Sequence, residues 1–362
     1  MNTFLSVLLC LLLTGFNLNA YRAVMADREA MAAPVADEAV KGMLGGSFMQ
    51  AWLAVALTEE QWDTEFAKMR ALGMEYLIVE TFLGEKPLYS TDPAVEDDML
   101  SVVLRAAGEH GMKIIAGLTN GAGVYYDTTG AYINRLTPWA DPFEAFHEKD
   151  LADATKIMGD ILGKYGGKYG DTLYGWYFAH EFFNNALYSS AAWRSIGRHL
   201  GGYVRAIESS SAPEMPLVFS PFYQIGLPYI RPNGYVRGLK LLFDEAKLRP
   251  FDVFMPQDGF GTVTGGPLPE ELVVPSVLAP WVEALGKAAA QANVTFWINN
   301  EAFHGPDIAT RPPAQVAMQA LRTDQYAKTH FIFSWNHYYS ATYYAKNAAL
   351  EQEFEEIFAP ER

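Results

Sequence analysis

The chain predicts a single-domain (β/α)8 barrel of the TIM type, an α/β fold, and three observations predict it. Short apolar runs alternate with amphipathic segments of helical period, eight such pairs fill about 315 residues after residue 42, and no glycine-rich phosphate loop follows the first run, where Gly45-Gly46-Ser47-Phe48 departs from a dinucleotide fingerprint. Parallel strands need crossovers long enough for helices and are covered on both faces, so they read as continuous apolar runs. An open doubly wound sheet shares the alternation and is the rival architecture; a count of eight is what closure requires.

The first run, 43–50, precedes a helix over 58–72, in which Thr58 and Gln61 form a capping box and Trp62, Phe66, Met69 and Leu72 share one face. The second run, 75–80, is followed by a helix over 97–109 that Gly111 ends. The third, 113–120, leads into a polar loop holding Tyr125, Tyr126 and Trp139, and then a helix over 143–165. In the fourth, 173–181, seven uncharged residues from Leu173 to Ala179, four of them aromatic, read as a strand buried on both faces that ends abruptly in His180 and Glu181. A helix over 191–209 follows. Runs at 217–222, 252–258, 294–301 and 330–336 supply the other strands, with helices over 238–247, 280–291, 313–327 and 342–358 behind them. Neither a repeat nor a low-complexity segment nor a linker interrupts 42–362, which is read as one catalytic barrel domain.

Ahead of it, residues 1–20 carry an apolar stretch from Phe4 to Phe16 and a small residue, Ala20, at a plausible cleavage point, the pattern of a secretory signal peptide too short to span a bilayer. Secretion, to the extracellular space or a periplasm, is therefore expected, with no membrane association after cleavage. Residues 21–41 lack a core-forming period and read as a leader or linker. The only cysteine, Cys10, lies inside the signal segment, so neither disulfides nor thiol chemistry is expected of the mature chain. A formal charge of −15 argues against nucleic acid and anionic membranes as partners. Aromatic residues make up 14% of the chain, more than a core needs, and point to a cleft for an apolar or sugar-like ligand.

The C-terminal tips of parallel barrel strands converge on one mouth, where such folds do chemistry. Here the tips read Gln50 with Trp52; Glu80; Asn120; His180 with Glu181; Ser220 with Tyr223; Gln257 with Asp258; Asn299, Asn300 and Glu301; and Trp335, Asn336 and His337. Two carboxylates flanking a bond divide the labour of glycoside cleavage. Strands four and seven lie across the mouth from each other, which makes Glu181 and Glu301 the expected pair. Asp258 competes: facing Glu181 at roughly 6.5–9.5 Å it would leave room for water and the enzyme would invert. Phe178, Phe182 and Phe183 could supply the apolar surroundings that keep Glu181 protonated, and Asn299 and Asn300 could donate hydrogen bonds to Glu301. Gln50, Glu80, Asn120, Gln257, Asn299 and Asn300 are candidates for sugar hydroxyls, and Trp52, Tyr125, Tyr126, Trp139, Tyr223, Trp335 and Tyr338 for stacking platforms. His180 is read as a partner that sets the charge of Glu181, and His337 as a further contact. No metal or cofactor is expected, because His180, His304 and His337 show no close paired spacing. A carbohydrate is the expected partner.

A Glu ending strand four and a Glu ending strand seven, in Ala179-His180-Glu181 and Asn299-Asn300-Glu301, with Ser334-Trp335-Asn336 on strand eight, resembles the arrangement of the clan A glycoside hydrolases. That resemblance implies that Glu181 is the general acid/base, Glu301 the nucleophile, and the outcome retention. The clan usually has Asn before the strand-four acid, where this chain has His180. The pattern Gly46-Ser47-Phe48-Met49-Gln50, Glu80 and Trp335 is also similar to the family catalogued as domain of unknown function 4434, whose members are regarded as glycoside-hydrolase barrels. Two other classes fit the same scaffold: a carbohydrate-binding barrel without catalysis, and a metal-dependent hydrolase or deacetylase.

Overall fold

The computed structural model describes residues 18–31, 38–80, 88–92, 94–119, 144–184, 190–225, 231–261, 273–305, 308–327 and 329–361. Most of the expected signal segment, residues 1–20 with Cys10, and Asn120, Tyr125, Tyr126 and Trp139, lie outside them. Among the described residues no helix is long and apolar enough to cross a membrane.

Eight parallel strands alternate with helices as the periodicity requires: β1 (Leu44–Met49), β2 (Tyr76–Val79), β3 (Lys113–Gly117), β4 (Leu173–Phe178), β5 (Leu217–Phe219), β6 (Val253–Phe254), β7 in two segments (Thr295–Phe296 and Ile298–Glu301) and β8 (His330–Phe333). Closure happens at β7. Its first segment pairs with β6 (Phe254 opposite Phe296) and its second with β8 (Phe333 opposite Glu301), while β8 returns to β1 (Ser47 opposite Ile332). Trp297 separates the two segments and points into the barrel, where it stacks on Phe331 at 5.1 Å.

Alternate residues face opposite sides of a strand. Phe48, Ile78, Ile115, Val218, Met255 and Trp297 fill the barrel interior, whereas Leu77, Ile114, Trp176 and Ile298 face the helical layer. The interior is tight enough that a Cβ on Gly46 would lie 2.5 Å from the Tyr76 carbonyl oxygen and 2.6 Å from the Phe331 ring.

The longer helices among the described residues are α1 (Leu18–Met31), α2 (Glu59–Ala71), α3 (Met99–Glu109), α4 (Glu144–Ile161), α5 (Ser190–Glu208), α6 (Asn233–Ala246), α7 (Pro275–Gln291), α8 (Pro313–Thr323) and α9 (Ala348–Phe358). The capping box at Thr58 and Gln61 forms as its sequence requires. Three helices depart from expectation. α7 begins at Pro275 rather than 280, with Pro275 taking the first position and Pro280 tolerated one turn in. α6 begins at Asn233, and α9 only at Ala348 because the chain before it is drawn inward by buried hydrogen bonds from Ser340 and Asn347.

The segment 21–41, expected as a leader without a core-forming period, is corrected in part: α1 occupies its first half and a short turn covers Glu38–Val40. Among the described side chains of α1, the buried ones are Val24 and Asp27, one turn apart. So narrow a stripe leaves no helical period for sequence reading to detect. Asp27 accepts from the backbone N–H of Ser276 at 2.6 Å, in the otherwise uncapped first turn of α7, and pairs with Arg322 at 3.2 Å.

Candidate active site

The inward-facing rows of the barrel end in polar groups at one mouth. Each row advances by two residues: Phe48 to Gln50, Ile78 to Glu80, Tyr177 and Ala179 to Glu181, Met255 to Gln257, Trp297 to Asn299 and Glu301. Glu181 is partly exposed and accepts from Gln257 Nε2 at 2.8 Å. Burial lifts its carboxyl above the ordinary Glu value, against the smaller opposing effect of that amide. Glu80 stands beside it, and burial, followed by repulsion from Glu181, pushes Glu80 up to about 8. A carboxyl so placed holds its proton at neutral pH and can donate it.

Glu301 is fully buried and accepts from the backbone N–H of Gly261 at 2.7 Å. The turn after β6 sets up that contact. Asp258 Oδ1 accepts from the amides of Phe260 at 2.9 Å and Glu301 at 3.3 Å, and Gly259 adopts a left-handed φ of 78°. Any Cβ there would meet the Tyr223 ring at 2.7 Å, so only glycine fits. Asn299 Nδ2 donates to Ser220 Oγ at 3.1 Å, fixing the tip of β7.

Two tyrosines join these acids. Burial and the nearby charges of Glu80 and Glu181 hold the Tyr177 hydroxyl well above its ordinary range; burial, Glu301 and Glu80 do the same for Tyr338. Tyr338 therefore feels the charge of two acids from different strands. Sequence reading assigned it only an aromatic platform and gave Tyr177 no role, since within an all-aromatic run nothing marks which ring faces in.

Several expected site residues lie elsewhere. Asp258 is corrected from competing acid to support: it faces outward, with Oδ2 accepting from Asn300 Nδ2 at 2.9 Å, and is fully buried. Asn300 is corrected likewise; its Oδ1 meets His330 Nδ1 at 2.8 Å behind the strand. Tyr223 is a core residue stacked on Trp281 at 4.9 Å, its hydroxyl donating to the Asp258 carbonyl. Trp335 is fully buried, its Nε1 donating to Glu65 Oε2 at 3.0 Å and its ring against Phe354 at 5.1 Å, so it faces the α2 and α9 layer. His180 follows the outward parity of its strand and meets Asp150 Oδ2 at 2.7 Å, not Glu181. Trp52 and His337 remain at the mouth, edge to face at 5.2 Å, with Tyr343 beside Trp52 at 6.3 Å and Gln50 Nε2 at 3.4 Å from His337 Nδ1. Trp52 is 42% exposed and Tyr343 37%, which leaves aromatic faces open to a ligand.

The barrel fold is shared by solved structures of a proposed fucosidase and two mannanases. A proposed α-L-fucosidase from Bacteroides thetaiotaomicron VPI-5482 superposes with a TM-score of 0.65 at 17% identity, over 88% of this chain and 96% of that one. The endo-1,4-β-D-mannanase of Thermotoga petrophila RKU-1 gives 0.52 at 13% identity over 80% and 88%, and the endo-1,4-β-mannanase of Rhizomucor miehei gives 0.51 at 13% over 86% and 95%. These identities establish a common fold. No curated protein matches the chain in sequence. Residues 44–345 match the model of the domain of unknown function DUF4434, and the chain belongs to that family.

Proposed function

We propose that this chain is a secreted glycoside hydrolase that cleaves an oligo- or polysaccharide with retention, Glu181 acting as general acid/base and Glu301 as nucleophile. The observation that carries this reading is the difference between the two carboxylates on β4 and β7. Glu181 is kept toward its protonated form by burial and touches a neutral amide, while Glu301 receives a backbone N–H, a contact suited to a nucleophilic carboxylate. In the first step Glu181 gives its proton to the leaving oxygen as Glu301 Oε attacks the anomeric carbon; in the second, Glu181 takes a proton from water as water displaces Glu301. The exposed Trp52 and Tyr343 rings supply stacking beyond the bond cleaved, which supports a substrate of more than one sugar. The apolar stretch from Phe4 to Phe16 supports secretion.

The test is hydrolysis of a polysaccharide and aryl-glycoside panel by the wild type, Glu181→Gln and Glu301→Gln, with the anomer of the first product read by NMR. Each variant should lose at least about a hundredfold in rate, and the first product should keep the configuration of the bond cleaved. Inversion would replace Glu301 as nucleophile, and glycan binding without cleavage by the wild type would make the protein a binding barrel.

A further inference from the structure

Behind β4, on the side opposite Glu181, lies a buried polar cluster that the proposed chemistry does not use. Asp150 from α4, His180 from the tip of β4 and His199 from α5 bring one ligand atom each within 4.8 Å of one another. Both imidazoles aim the same nitrogen at the same atom: His180 Nε2 lies 2.7 Å and His199 Nε2 2.9 Å from Asp150 Oδ2. Tyr203 Oη reaches that oxygen too, at 2.5 Å, and Thr119 Oγ1 stands 3.2 Å from His180 Nε2 and 3.0 Å from Tyr203 Oη. Asp150 is 7% exposed, His180 1% and His199 3%.

As hydrogen bonds alone these contacts are oversubscribed. A carboxylate oxygen offers about two lone-pair sites, yet three donors converge on Asp150 Oδ2, and the single proton on His180 Nε2 would have to serve both Asp150 and Thr119. A cation at the point of convergence removes the excess, because each imidazole then presents a lone pair there and keeps its proton on Nδ1. The walls suit such a site. Phe178 lies edge-on at 4.8 Å from His180 and 5.3 Å from His199, and His147 stacks on His199 at 4.0 Å and 15°, fixing that ring.

We propose that Asp150, His180 and His199 bind one divalent cation of the zinc class, with a hydroxyl of Tyr203 or Thr119 or a water as fourth ligand. Two imidazoles and a carboxylate in tetrahedral reach are ligands zinc takes readily, at about 2.0–2.2 Å each, so the three atoms need spread apart by only about half an ångström. Binding releases one proton for each imidazole that was charged beforehand. The cation staples the tip of β4 to α4 and α5. It does not touch the sugar-cleaving site, and the proposal stands whether or not this chain hydrolyses glycosides.

The test is metal content of the full chain, purified without chelator and measured by plasma mass spectrometry. About one zinc per chain is expected, and chelated protein should take up Co(II) with the visible absorption of a tetrahedral site. Removing the metal should lower the Tm by at least about 5 °C, with Zn(II) restoring it. His199→Gln and Asp150→Asn should each bind less than about a tenth of the wild-type metal under the same conditions; if Asp150→Asn does not fold, His199→Gln still decides. Wild type that takes up neither Zn(II) nor Co(II), or a folded His199→Gln that binds as well as wild type, overturns the site and leaves a hydrogen-bonded network.

Discussion

At the scale of single residues, the mouth holds more acid than a two-carboxylate mechanism uses. Glu80 is the surplus. Burial and Glu181 raise it from its ordinary value to about 8 in the folded chain. A carboxyl raised on folding contributes its full stability below its unfolded value, near 4.5, and loses it as pH climbs through the folded value near 8. Glu80→Gln, which keeps the shape and cannot ionise, should therefore unfold at nearly the wild-type Tm at pH 4 and at a higher Tm than wild type at pH 9. Thermal scans at the two pH values check this, and equal differences at both would mean that Glu80 is solvated and ionises freely. The same substitution bears on catalysis: with Glu80 neutral at all pH values, the alkaline fall in kcat/KM should move if the two acids share a proton.

At the scale of elements, the turn joining β6 to its helix is the device that positions Glu301. Asp258 holds the amides of Phe260 and Glu301 while Gly259 turns the chain so that the Gly261 N–H faces the carboxylate. Asp258→Asn leaves one acceptor oxygen but sets an N–H group against the Asn300 amide, so a buried network loses a partner. Stability should fall by about 2–4 kcal/mol and kcat with it, whereas Glu181→Gln should lose kcat with stability within about 1 kcal/mol of wild type; urea unfolding beside kinetics separates the two. An Asp258→Asn chain as stable as wild type with normal product stereochemistry would remove Asp258 from this supporting role. The contrast also shows what was legible. The eight runs were readable because β4-type segments are continuous apolar stretches, and the place of Glu181 and Glu301 at strand ends because a carboxylate closing such a run stands out. Which of two adjacent polar residues faces the mouth was not readable. In His180-Glu181, Gln257-Asp258 and Asn300-Glu301 the answer is parity with the interior row, and rows such as Tyr177-Phe178 are apolar on both faces, so the sequence carries no mark of parity. Trp335 misled for another reason: its indole serves the buried Glu65, sited 270 residues away. The Asp150, His180 and His199 cluster joins residues 30 and 49 apart in sequence, a spacing no metal motif describes.

At the scale of the whole molecule, the barrel closes on itself, and α1 is an addition to the outside of that closed ring. Its attachment is electrostatic as much as apolar. Helix α7 starts without a side-chain cap of its own, since Val274 and Pro275 offer no acceptor, and its first free N–H groups would otherwise face the groove under α1. Asp27, 3% exposed, supplies that acceptor from a different helix, at the positive end of the α7 dipole, and Arg322 beside it on α8 offsets its charge. One side chain thus ties α1 to both α7 and α8, which already pack on each other in the ring. Asp27→Asn keeps an oxygen for Ser276 but loses the charge, and should cost about 0.5–1 kcal/mol; Asp27→Ala loses both, and should cost about 1–2 kcal/mol. Urea denaturation of the two variants, with limited proteolysis between residues 18 and 42, checks the order. Loss of stability in the sequence Ala beyond Asn beyond wild type, with cleavage ahead of residue 42 increasing alongside, follows from a docked α1. Unchanged stability in both variants would mean that the barrel from β1 to α9 carries its own stability and that α1 contributes none of it.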